Sequence, residues 1–360
     1  MPGLTEKPAA ESYLGATKHH VLDDYALDAR WSHGGVYLAA LPSAGRPVVL
    51  DATGTPLAEL TAHRGGNASL AWHPAEPVLA TVGQDSVLRL HSAPFGRSTR
   101  EIALPRGWCE RVAWSPDGNR LAVTSGRRVL VLDADSGEVA ATFDDHRSTV
   151  TDVAWNPTRD DQFAAVCDGG AKIWRLGKKS PSGHFDWGGA SLLVTWSPDG
   201  RWVVTGDQTA SVHLYDTTRK TPLHIQGFES KVKCFAWADR GDRLATGGGS
   251  VITLWPCTGR KGPDGATPIQ LAGHLGAVLS MDFFPGRPVL ASGGADGLVL
   301  VWLPLQHSGP ALLAKSEAEI TSIRWNPGAF LLAYTTSAGE VTVGALRTKE
   351  STSDSLPNAN

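Results

Sequence analysis

A chain of 360 residues with 33 Lys and Arg against 36 Asp and Glu carries a formal charge of −3, and 41% of it is hydrophobic. That balance lacks the positive excess of a nucleic-acid binder, and no stretch has the length and apolarity of a membrane span. The four cysteines, Cys109, Cys167, Cys234 and Cys257, show neither paired nor zinc-ligand spacing, which predicts reduced thiols in a cytoplasmic protein.

Residues 1–12 lack the apolar core of a signal peptide and read as a flexible terminus. Thereafter an aromatic residue closes a short apolar run eight times, at Trp31, Trp72, Trp114, Trp155, Trp196, Trp237, Phe283 and Trp325. The steps are 41 or 42 residues, with one of 46. So regular a period predicts one structural unit repeated, here called repeats one to eight. In repeat four, Val150 to Trp155 alternates, Asn156-Pro157 turns the chain, Phe163 to Cys167 runs apolar, and Asp168-Gly169-Gly170 predicts a second turn before Ala171 to Leu176. Period-two alternation punctuated by Gly, Pro and Asp is strand chemistry, so each repeat is a meander of short antiparallel strands. The string WSPDG recurs at residues 114–118 and 196–200 with an apolar run after it. The longer step comes from an insertion, residues 256–268, whose Gly and Pro predict an irregular surface excursion. The last repeat supplies three strands, Ile320 to Trp325, Leu331 to Thr335 and Glu340 to Leu346, so its fourth is expected from residues 14–22. A single domain over residues 13–346 is predicted, followed by a disordered polar tail at 347–360.

This pattern resembles the WD40 family of β-propellers, most clearly in repeat seven, where AGHLGAVLSMDFFPGRPVLASGGADGLVLVW occupies residues 272–302. The resemblance implies an all-β propeller of four-stranded blades and a structural hydrogen-bonded tetrad of His274, Ser292, Asp296 and Trp302. Eight anchors predict eight blades, with seven, the commonest number in the family, as the alternative.

His274, Ser292 and Asp296 are also the residue types of a hydrolase triad, but no GxSxG elbow accompanies them. His19-His20 has no metal-ligand spacing, and the turn from Asp239 to Asp242 is too short for a calcium loop. Inner strands such as ITSIRW and VTDVAW read as packing elements. The expectation is therefore a protein with no catalytic residues, no cofactor and no metal.

Surfaces remain. The loops before the first strand and between the second and third share one face in the family topology. There repeats three to six place Arg106, Trp108, Arg111, Arg127, Arg128, Arg147, Trp187, Phe228, Glu229 and Lys231. Aromatics beside arginines supply interface energy, so Trp108, Arg147, Trp187, Phe228, Arg127 and Arg128 are the candidate partner contacts. Trp187 and Phe228 stand at the tetrad histidine position, and plugging their blades is the alternative role. The opposite face carries Lys178-Lys179, Arg219-Lys220 and Arg260-Lys261, with aspartates near enough to neutralise them. The predicted function is a non-catalytic scaffold, monomeric by itself, that binds a protein or peptide, with no nucleic acid and no membrane insertion expected. An enzyme or small-molecule binder using the central channel, and a structural subunit of a larger complex, are the alternatives.

Overall fold

The computed structural model describes residues 14–346 except 97–98 and 307–308. The flexible terminus and the polar tail expected at 1–12 and 347–360 lie outside the described residues. Within them the chain is an all-β propeller. Repeat one is typical: Ala26–Trp31, Tyr37–Pro42, Val48–Asp51 and Pro56–Glu59 form one antiparallel sheet in sequence order. Its second strand is buried almost throughout, and its fourth is mostly exposed. Burial is therefore greatest in the middle of the sheet and falls toward its outer edge. Each core cluster joins neighbouring repeats, as Val82 and Leu88 pack with Val112, Leu121 and Leu130. A sheet of four short strands cannot bury both faces alone, and stacking around an axis does it.

The strands form seven sheets, the alternative count, and eight separate blades are not seen. The physical reason lies at Asp168-Gly169-Gly170, expected to turn the chain out of the sheet. Gly169 and Gly170 take φ of +90° and +111°, and the chain bends without leaving the ladder. Gln162–Arg175 thus runs on as one strand, pairing first with Asp152–Trp155 and then with Gly183–Trp196. Asp168 pairs with Ala190, which bridges the two halves. Gly183–Trp196 continues onto Trp202–Asp207, so repeats four and five share a six-stranded sheet. Gly170 admits no side chain, because a Cβ would sit 1.9 Å from the Phe185 carbonyl oxygen.

The seam closes as the sequence predicts. Leu14–Val21 pairs with Glu340–Leu346 in the last sheet, from Leu14 opposite Leu346 to Val21 opposite Glu340. Leu14 is buried among Val299, Leu313, Ile323 and Trp325 of the last two repeats.

The anchor tryptophans do more than fill these cores. Trp31 Nε1 donates to Arg324 O at 3.2 Å, Trp72 to Arg30 O at 2.8 Å, and Trp114 to Ala71 O at 3.1 Å. Trp155 donates to Ala113 O at 3.1 Å and Trp196 to Ala154 O at 2.9 Å. Every acceptor is the residue just before the preceding repeat's anchor, so each indole staples its repeat to the one before.

Candidate protein-binding face

The loop that carries Trp108 is fixed at its ends and open at its tip. Ser86 Oγ donates to Gly107 O at 2.8 Å, and Gly126 N donates to Trp108 O at 3.1 Å. Cys109 is buried behind it, and burial pushes its thiol up to about 11. The Trp108 side chain points outward and is 65% exposed, an unusual state for so large an apolar group.

Arginines converge on the same end of repeats three and four. Arg128 Nη2 lies 3.4 Å from the Arg106 carbonyl, and Arg127 donates through Nε and Nη2 to the His146 carbonyl at 3.0 and 2.8 Å. The next residue, Arg147, is exposed and runs past Gly169, where a Cβ would meet its Cδ at 2.8 Å. The structure therefore brings Trp108, Arg127, Arg128 and Arg147 together with Arg106. None of these four arginines forms an ion pair among the described residues. Glu110, Asp144 and Asp168 lie in the same loops without pairing to these arginines, and Asp145 is bound to Lys172 at 2.7 Å.

Trp187 and Phe228 are placed differently. The Trp187 indole stacks on His213 at 3.3 Å between ring centres and donates to Ser191 Oγ at 3.0 Å. Ser191 in turn donates to Asp207, which also binds His213. Phe228 packs half-buried with Val232, Leu244 and Trp255 in repeat six. Both side chains are engaged within their own blades.

His274, Ser292, Asp296 and Trp302 also meet. His274 Nδ1 faces the Asp296 carboxylate at 3.1 Å, and its Nε2 lies 2.8 Å from Ser292 Oγ, to which Trp302 Nε1 donates at 2.8 Å. All four are buried or nearly so, and burial holds the His274 imidazole below its usual pKa. Repeat two builds the same network from His63, Thr81, Asp85 and His91. A serine shielded on every side and bonded to an indole N–H has no path to a substrate.

The sequence reading missed the axis. Residues three and one before the anchors point inward, and six are charged: Asp28, Arg111 and Asp152 at the first position, Arg30, Asp282 and Arg324 at the second. Arg30 of repeat one acts on Asp152 of repeat four and Asp282 of repeat seven, which a shared central channel explains. The inner strands are thus not packing elements alone. Asp28 binds Arg30 at 2.8 Å and Arg324 at 3.1 Å, and Arg111 reaches Asp152 at 3.3 Å. Burial works against the Asp28 carboxylate, yet the two arginines outweigh it and hold its pKa well below the usual range. Burial prevails at Asp282, pushing it up to about 6, and raises Asp152 as well. The one thiol near them, Cys234, is driven up to about 12 by burial and is no nucleophile at neutral pH. Charges that satisfy one another lock strands together. The readable signal was period two in the inner strand, with charge at alternate positions.

Four segments of the chain, residues 54–92, 137–175, 181–216 and 266–302, match the family model described as WD domain, G-beta repeat. The chain is 24% identical over 272 residues to the THO complex subunit 3 of Arabidopsis thaliana, covering 62% of this chain and 84% of that protein. It is 26% identical over 298 residues to the WD repeat-containing protein WDS homolog of the same organism, covering 78% and 56%. To Autophagy-related protein 16 of Arabidopsis thaliana it is 25% identical over 276 residues, covering 74% and 53%. The chain spans little more than half the length of the last two.

Proposed function

The chain carries WD40 repeats, and on that premise we propose that it is a non-catalytic scaffold holding a protein or peptide partner against the face of repeats three and four. One observation carries this reading: Trp108 stands 65% exposed among four arginines that pair with no carboxylate of the described residues. Aromatic and arginine side chains dominate binding energy where a partner desolvates them. The loop is already held at both ends, so little ordering entropy opposes association. Similarity to a protein named as a complex subunit agrees with the reading. The protein is proposed to be monomeric by itself and to act in the cytoplasm, in keeping with four free cysteines.

Affinity purification from the native cell with the natural chain and with Trp108→Ala tests it. The variant is expected to melt at the same temperature and to lose a specific protein from the captured set. An unchanged set would move the interface elsewhere, and a lowered melting temperature would make Trp108 a packing residue.

A further inference from the structure

The insertion at residues 256–268 is built into the opposite end of the disc. Arg201 holds it: Nη1 donates to Gly259 O and Nη2 to Arg260 O, both at 2.7 Å, while Nε and Nη2 grip Asp216 at 3.1 and 2.9 Å. The same guanidinium lies 4.6 Å over the Trp202 ring. Gly262, at φ +60°, closes on that indole so tightly that a Cβ would sit 2.3 Å from Cζ2. An arm pinned this way borders a half-open cavity of about 340 Å³ against the outer strand Thr221–Ile225 of repeat five. Trp202, Pro222 and Leu223 give it an apolar wall, and Arg219, Arg260 and Lys261 give it cations. Asp264 is the single carboxylate of the lining. None of the three cations forms an ion pair among the described residues, and the carbonyls of Gly259 and Arg260 are already taken by Arg201.

We propose that this cavity binds a phosphate monoester carried on an apolar body. Three cations around one opening suit a dianion with three acceptor oxygens better than a carboxylate, and the indole, proline and leucine surface suits the ester's carbon skeleton. The volume admits a group the size of an aryl phosphate. The site is independent of the Trp108 face and stands or falls without it.

The test is calorimetric titration of the full chain with phenyl phosphate, with benzoate as the carboxylate control. Phenyl phosphate is expected to bind saturably and benzoate not. Replacing both Arg260→Gln and Lys261→Gln, at exposed positions, is expected to leave the melting temperature unchanged and to weaken phenyl phosphate by about tenfold or more. Arg127→Gln with Arg128→Gln on the other face is expected to leave it unaltered. Tighter binding of a phosphotyrosyl peptide than of phenyl phosphate would support the site with a partner protein as the source, and equal or weaker binding would support it with a free phosphoester. No saturable heat with phenyl phosphate, equal binding of benzoate, or indifference to the Arg260 and Lys261 changes would each overturn the proposal.

Discussion

Five of the eight junctions between repeats, from eight-one through four-five, carry an indole staple to the preceding repeat, and the other three carry none among the described residues. Trp237 and Trp325 keep buried indole N–H groups without a partner among the described residues, and the Phe283 ring has no N–H to give. Each bare junction has another tie. Between repeats five and six, Arg201 reaches the insertion at Gly259 and Arg260. Between six and seven, Asp239 takes the Gly286 N–H and Val278 N donates to Gly249 O at 2.9 Å. Between seven and eight, Asp282 accepts the Trp325 backbone N–H at 2.7 Å, and Ser280 Oγ binds Ile323 N at 3.0 Å and Arg324 at 2.9 Å. A ring tolerates degenerate repeats because each junction needs some bond across it and not a particular one. The neutral staples ignore pH, whereas the seven-eight junction relies on ionisable groups.

That contrast breaks first at the eight-one junction, where staple, charges and seam strand coincide. Removing residues 1–21 strips the strand Leu14–Val21, uncovers its partner Glu340–Leu346 and exposes the last core. A loss of about 5 kcal/mol or more is expected, from one large buried apolar side chain and a lost ladder. Differential scanning calorimetry of the truncated chain checks it, and an unchanged transition would show that the strand does not hold the ring.

Asp28→Asn probes the charges at the same junction while keeping shape and seam. Arg30 and Arg324 would face the axis without their shared carboxylate, and roughly 2–3 kcal/mol of stability should go at neutral pH. Because the native Asp28 pKa is depressed, its contribution is present above the unfolded value of about 4 and is lost as pH falls through the folded one. Urea melts of natural and variant chains should therefore converge in acid.

Asp282 should behave in the opposite sense. Its folded pKa of about 6 exceeds the ordinary 3.8, so the native state binds the extra proton between those values. Its contribution is fully favourable below about 4 and declines as pH rises through about 6. Asp282→Asn keeps an oxygen for the Trp325 backbone N–H and removes the titration. Its stability relative to the natural chain should rise between pH 4 and 7, and a flat difference would place the carboxylate in water.

The sequence revealed what repeats and hid what is paired across space. The anchors, the strand chemistry of each repeat and the borrowed strand Leu14–Val21 follow from periodicity and from counting three strands in the last repeat. The fused sheet does not, because Asp168-Gly169-Gly170 has the composition of a turn and only the ladder from Asp168 to Ala190 makes it a bend. Trp108 and its arginines could be placed on one face from loop position alone, while the absence of ion pairs needed coordinates. Trp187 is equally aromatic and equally near a loop, yet its stacking on His213 depends on a side chain 26 residues away. The axial charges were legible at alternate inner-strand positions and were overlooked because apolar neighbours dominate those runs.

The finest test compares two substitutions of the same chemistry. Trp155→Phe and Trp237→Phe each shorten a largely buried ring and share a packing loss. Trp155 also surrenders its bond to Ala113 O, a net cost of about 1 kcal/mol. Trp237 surrenders only a buried N–H that has no partner among the described residues, and relief of that desolvation offsets its packing loss. Trp155→Phe should therefore be the more destabilised by about 1–2 kcal/mol in chemical denaturation. Equal losses would mean that the indole bond adds nothing beyond the ring's bulk, and the distinction between stapled and bare junctions would reduce to packing alone.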